Sequence, residues 1–436
     1  MSPTPSASAS PTTAGSPTPR AVADWPQYHR DALRTGVGPA TPALDSPRRA
    51  WTKALDGKVY ASPLIVGGRV IAATENDTVY SMDLRSGAVV WKRHLGTPVD
   101  ASTLPCGDIS PVTGITGTPA ADPLSGQLYV VAFVSGYHHL LFVLNLADGS
   151  VARSIPIDPS GSVPLVQQQR PALALTPNYV YVAYGGLYGD CGPYHGYVVA
   201  VRRAGGSSIV YRTPTARESG VWTAMGVTVA DTGDVYAVTG NGSFSSSFEY
   251  SNTVLDFSPD LKLKGYFAPA NWRELDAGDV DLGTVGATVL PALHAVVAVG
   301  KDGILYLLRE GQLGGIGRQV AALRVCDAAY GGTAWSGTRV FVPCTNGVTA
   351  VDVTSGRVAL AWRASGVRLA SPIVAAGAVW AIDVDTSILF ALDPGSGAVL
   401  YRLGLGSTTH FSTPAATQGF VVAPAGTSIV TVAVAP

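Results

Sequence analysis

Short apolar runs alternate with turn residues along most of the chain. They centre near Val70, Leu128, Val180, Val235, Ala295, Val340, Val379 and Phe420, at spacings of 39 to 60 residues. Each run has strand length and alternating character. Two signatures frame them. Downstream comes Asp-x-x-Ser-Gly, then apolar residues and an aromatic: Asp83 to Gly87 with Trp91, Asp352 to Gly356 with Trp362, and Asp393 to Gly397 with Tyr401. Asn145 to Gly149 is a degenerate copy. This spacing predicts a hairpin, with an Asx-type turn and a left-handed Gly before the return strand. Upstream, Ser62-Pro63, Thr118-Pro119, Ser371-Pro372 and Thr413-Pro414 mark the first residues of strands, where Pro is tolerated. Four-stranded repeats of about 40–50 residues signal a β-propeller. The predicted fold is therefore all-β, an eight-bladed propeller of four-stranded antiparallel blades. The last blade is one strand short, since the chain offers only Ile429 to Val434 after Val421. The segment Trp51 to Leu55 reads as an unpaired strand that completes it and closes the ring.

The chain has 436 residues, of which 47% are hydrophobic and 14% charged. Length alone would suggest about three domains. The repeat instead predicts one, residues 24–436, with 24–50 as a docking segment. High Gly and low Met fit short strands and tight turns rather than long helices. A net charge of -1 argues against nucleic acid and anionic membrane as partners. No apolar run reaches the roughly 18 residues of a membrane span. Residues 1–23 are rich in Ser, Pro, Thr and Ala and are expected to form a disordered tether. Such tethers suit an exported chain, secreted or held at the cell surface or envelope. Four cysteines without a C-x-x-C pattern exclude zinc ribbons and c-type haem. An even count in an exported chain predicts two disulfides.

Asp24-Trp25-Pro26-Gln27-Tyr28 before the first blade, and Asp-x-x-Ser-Gly-x-x-x-Trp at its end, resemble the pyrroloquinoline quinone (PQQ) repeat family. That family includes quinoprotein alcohol dehydrogenases and a protein-binding outer-membrane assembly lipoprotein. The resemblance implies that Trp91, Trp362 and Tyr401 dock each blade on the next. It also implies a candidate site. Thr239 to Ser243 resembles the stretch whose Asn, here Asn241, ligates Ca²⁺. Asp279 to Gly283 resembles the stretch carrying the catalytic base, here Asp279, with Asp281 as a further ligand. Both acids are candidate Ca²⁺ ligands. Gly300 to Gly303 resembles the place of the cation at the quinone oxygens, here Lys301, and Trp222 is placed to stack on the cofactor. The chemistry suits these types: hard oxygen ligands for the metal, a carboxylate for the alcohol proton, a cation for developing charge.

The chain departs from that pattern in two places. Cys106-Gly107-Asp108 replaces an adjacent cysteine pair, and Gly185-Gly186-Leu187-Tyr188 lacks the metal-binding Glu, leaving Asp190 as the nearest acid. As bare sequence, Asn-Gly and Lys-Asp-Gly are also ordinary hairpin turns, and Asp279 and Asp281 also fit as loop acids or partners of Arg273.

Within four-stranded blades, all four cysteines fall in loops of one face, which predicts Cys106–Cys191 and Cys326–Cys344. The same face collects His138, His139, His195, Glu249, Asp279 and Lys301. The histidine spacing does not favour a metal, and His29, His94, His294 and His410 read as structural. Three functional readings follow. The first is an exported binding module for a protein, a glycan or a small molecule, monomeric because a closed ring has no free edge. The alternative is a PQQ- and Ca²⁺-dependent dehydrogenase of alcohols or sugars with a remodelled pocket. A scaffold at the cell envelope is the third reading.

Overall fold

The computed structural model describes residues 24–39, 44–243, 247–365, 368 and 371–435. The expected tether, residues 1–23, lies outside the described residues. Eight four-stranded antiparallel blades follow one another along the chain, and in seven of them the four main strands come in sequence order. Blade 1 is Leu64–Val66, Arg69–Thr74, Thr78–Asp83 and Val89–His94. The inner three strands are buried on both faces, because each blade is packed between two others. The outer strand alternates, with Trp91 buried and its neighbours exposed. Blades 3 and 4 each gain one short fifth strand, Gln167–Gln168 and Gly315–Ile316.

Blade 8 has only Ala415–Thr417, Phe420–Ala425 and Ser428–Ala433 from the end of the chain. Its outer strand is Arg48–Ala54, antiparallel to Ser428–Ala433. The closing strand thus comes from the start of the chain and begins three residues before Trp51. Pairing the first strand with the last leaves no blade incomplete.

The repeat signature now has a mechanical reason. Asp83 Oδ1 accepts the N–H groups of Arg85 and Ser86 and the Ser86 hydroxyl, which fixes the turn. Gly87 follows with φ +70. Trp51 of the preceding blade lies flat on that glycine and donates its indole N–H to Leu84 O at 2.8 Å. Trp91 does the same to Gly149 and Leu146 of blade 2, and Trp362 to Gly397 and Pro394 of blade 7. A side chain in place of the glycine would displace the ring. Tyr401 meets Trp380 of its own blade edge-on, within a core shared by blades 7, 8 and 1.

Before its closing strand, the chain runs around the inner strands. Trp25 pairs with Ile65 of blade 1, Gln27 with Leu175 of blade 3, Ala32 with Val229 of blade 4, Thr35 with Trp335 of blade 6 and Gly38 with Val374 of blade 7. Tyr28, His29 and Arg34 point inward and are fully buried. Tyr28 donates to Ser371 Oγ at 2.9 Å. Arg34 donates to the carbonyls of Tyr28, Leu173 and Val227. Charge without a partner carboxylate is tolerated there because carbonyl oxygens satisfy the guanidinium.

Both predicted disulfides are present, Cys106–Cys191 with Cα atoms 6.2 Å apart and Cys326–Cys344 with 5.4 Å. The first reaches from the loop between blades 1 and 2 to the central loop of blade 3. The second joins the loop after blade 5 to blade 6.

Candidate functional site

Adjacent antiparallel strands reverse direction, so loops after a second strand and loops after an outer strand leave the same face. That face carries every candidate residue. Asn241 follows Val235–Val238 of blade 4, and Lys301 follows Ala295–Ala298 of blade 5. Asp279 and Asp281 lie between blades 4 and 5, and Trp222 between blades 3 and 4.

All five residues meet through side-chain or backbone groups. Lys301 Nζ stands 2.5 Å from Asp281 Oδ2 and 3.0 Å from Asp279 Oδ1. It also donates to the Asp279 carbonyl at 2.9 Å. Asp281 Oδ1 accepts the Asn241 N–H at 2.8 Å and the Trp222 Nε1–H at 3.5 Å. The close approach depends on Gly240, where a Cβ would fall on Asp281 Oδ1. Asp281 is the centre of the network, its side chain 4% exposed against 64% for Asp279. Burial pushes the Asp281 carboxyl up from its ordinary value, while Lys301 and the Asn241 N–H pull it back. Burial alone would lower the Lys301 ammonium, but Asp281 and Asp279 outweigh it and hold it above its usual value. Asn241 contributes its backbone, and Asp279 sits at the rim with a left-handed φ of 51°.

Two residues not singled out in the sequence complete this half of the face. Glu218 bridges the backbone between His195 and Gly242 with φ +69. Burial raises its carboxyl, Arg217 at 3.0 Å lowers it, and Asp190, Asp276 and Asp279 raise it further. Asp276, on the short helix Trp272–Ala277, accepts from Gly242 N, Ser251 Oγ and Asn252 Nδ2 and so anchors the Asn241 loop. The only sequence signal for Glu218 was its position just ahead of Trp222. Asp276 had none.

Phe411, from the loop between blades 7 and 8, meets Trp222 edge-to-face at 6.2 Å. Arg170 lies over the Phe411 ring and pairs with Asp108 at 3.4 Å. His410, read from sequence as structural, stands 3.2 Å from Asp108 and edge-on to Tyr60. Burial and Arg170 lower the His410 imidazole to about 4. Asp190 accepts the Tyr194 hydroxyl at 2.5 Å. Elsewhere on the face, His138 and His139 share Asp158, and His195 contacts Arg212. The half-buried Glu249 lies further along the Asn241 loop.

These contacts test the calcium and quinone expectation. A divalent cation would need the Asp281 oxygens, yet one already holds an ammonium and the other two N–H donors. Among the described residues, no three His, Cys, Asp or Glu side chains are arranged to hold a metal. Trp222 already directs its indole N–H to Asp281 and meets Phe411 edge-to-face. As arranged, the donor set does not fit a Ca²⁺–quinone centre, and no chemical step is derived through one.

Residues 35–238 match the family model described as outer membrane protein assembly factor BamB, a PQQ-repeat model. No curated protein matches the chain in sequence. Among solved structures, a quinohemoprotein alcohol dehydrogenase of Pseudomonas putida HK5 superposes with a TM-score of 0.75 at 12% identity, over 94% of this chain and 80% of that one. A europium-containing methanol dehydrogenase gives 0.69 at 15% identity, over 92% and 89%. BamB from Moraxella catarrhalis gives 0.62 at 14% identity, over 89% and 99%. The protein is thus a PQQ-like eight-bladed β-propeller. That fold is common to dehydrogenases and to an assembly factor, so it does not choose between them.

Proposed function

We propose that this protein is an exported PQQ-like propeller acting as a binding module, monomeric, with residues 1–23 as its tether. Its disulfide-tied face takes a protein, glycan or small-molecule partner. The observation that carries the reading is the 2.5 Å contact between Lys301 and Asp281. The residues that resemble a cofactor cradle satisfy one another and thereby fix loops from blades 4 and 5. Rigid loops on a closed scaffold make a recognition surface. Two disulfides support an oxidising compartment. A second reading, a PQQ-dependent dehydrogenase of alcohols or sugars, draws on the convergence of Trp222, Asn241, Asp281 and Lys301 in chain order.

The two readings separate on titration with PQQ and Ca²⁺. The module retains no quinone absorbance after gel filtration and reduces no dye with a panel of alcohols and sugars. One-to-one quinone binding, lost in Asp281→Ala, would overturn the module. The positive arm uses Tyr188, an aromatic 68% exposed beside the Cys106–Cys191 bridge. Binding to an arrayed panel of glycans and extracytoplasmic proteins is expected to weaken at least about tenfold in Tyr188→Ala, the effect of losing an aromatic anchor.

A further inference from the structure

The turn between the second and third strands of blade 1 carries two carboxyl groups that the site above does not use. Glu75 and Asp77 are 1% and 0% exposed. Glu75 Oε2 accepts Gly114 N at 2.7 Å and Thr116 Oγ1 at 3.1 Å. Glu75 Oε1 and both Asp77 carboxyl oxygens are buried without a hydrogen-bond partner. Both groups press on the same residue, because a Cβ on Gly114 would fall on Asp77 Oδ1. Gly114 belongs to the 95–119 loop, which runs from blade 1 to blade 2 and carries Cys106 and Asp108. The loop is also held by Leu95 N on Asp77 O at 2.8 Å.

The surroundings supply little compensation. Arg170 is the cation that reaches Glu75, and it already pairs with Asp108. Tyr60 and Asp108 face Glu75. Glu75 N donates to the Lys58 carbonyl, Asp56 accepts the Thr74 hydroxyl, His94 Nδ1 lies 3.2 Å from the Thr78 hydroxyl, and His410 lies beyond Asp108. Ionised carboxylates in such a place carry a desolvation cost that the two donors on Glu75 Oε2 offset only in part and that nothing offsets at Asp77. A protonated pair avoids that cost.

We propose that Glu75 and Asp77 form a proton-held latch: with their protons the turn stays buried and seats the 95–119 loop on the mouth of the face, and without them the loop is released. Burial pushes Glu75 up to about 7 and Asp77 up to about 9, so the closed state loses its advantage progressively between about pH 5 and 9. The latch is independent of which partner the face takes, since its readout is the loop itself.

Hydrogen exchange of the full chain tests it, read as protection factors so that intrinsic base catalysis cancels. Protection of Gly114 and the 95–119 loop is expected to fall as pH rises from about 5 to 9, about tenfold per pH unit for each proton that release sets free, while the inner strands of blades 4 to 7 stay protected. The near-isosteric double variant Glu75→Gln, Asp77→Asn is expected to hold its protection constant to pH 9. A flat wild-type profile, or the same fall in the double variant, would overturn the latch. Recovery of wild-type protection at pH 9 on adding millimolar CaCl₂ would also overturn it, in favour of a cation site. A measurement without variants is the carboxyl titration of the wild type by carbon NMR. Two carboxyls titrating at or above pH 6.5 support the latch, and all carboxyls titrating below pH 5.5 refute it.

Discussion

At the scale of single residues, the signature glycines do two jobs that can be separated. Gly149 has φ +71, and a Cβ there would stand 2.5 Å from Trp91 Cε3. Gly205 has φ +93 with nothing within 4 Å of its missing side chain. Gly205→Ala therefore reports backbone strain alone, about 1 kcal/mol. Gly149→Ala adds the displaced indole and is expected to cost about 1–3 kcal/mol more by denaturant unfolding. Equal losses would mean that the Trp–Gly contact contributes nothing to blade docking. The glycine was legible because it recurs four residues after the Asp, with an aromatic four or six residues further on; Gly356 alone of the three copies takes no left-handed φ and carries no ring. Glu218 and Asp276 were not legible. Each works through partners far away in sequence, and no local spacing encodes those.

At the scale of elements, loops decide what the scaffold presents. The two disulfides close very different lengths of chain, 85 and 18 residues. In the loop-entropy account, replacing both cysteines by Ala should cost about 4.5 kcal/mol for Cys106–Cys191 and about 3 kcal/mol for Cys326–Cys344. Chemical denaturation of the two double variants checks the order, and a larger loss at Cys326–Cys344 would contradict it. Cysteine pairing was legible because a four-stranded repeat fixes which loops share a face. The centre of the acidic stretch was harder. Asp279 and Asp281 are two residues apart and indistinguishable as letters, yet one is at the rim and the other buried on Lys301. Asp279 itself takes a left-handed φ, and Asp281 caps the 3₁₀ helix Leu282–Thr284 that follows it, so the two acids leave the chain in different directions. That reversal is not visible in composition or spacing.

At the scale of the whole molecule, buried acids set the response to pH. Glu75 is pushed up to about 7, Asp77 to about 9, and Asp256 to about 6. Each keeps its proton in the folded state at pH values where the unfolded chain, with ordinary carboxyls near about 4, has lost it. The folded state then binds more protons than the unfolded state, so these groups make stability fall as pH rises from about 5 to 9. Thermal melts are expected to follow that direction, less steeply in the Glu75→Gln, Asp77→Asn variant. A melting temperature that rises over this interval would contradict the assignment. The sequence by itself determined the eight-fold count, the antiparallel blades, the closing strand and the shared face of the cysteines. All of these follow from a period in the chain and from the need to pair an edge. Only the tertiary structure decided that Asp281 is buried against Lys301 while Asp279, on the same ammonium, stays at the rim, and that Glu75 and Asp77 lie sealed against Gly114. The reason is physical: whether a carboxyl is hydrated, ion-paired or stranded depends on what neighbouring blades bring to it, and that arrangement exists only once the ring has closed.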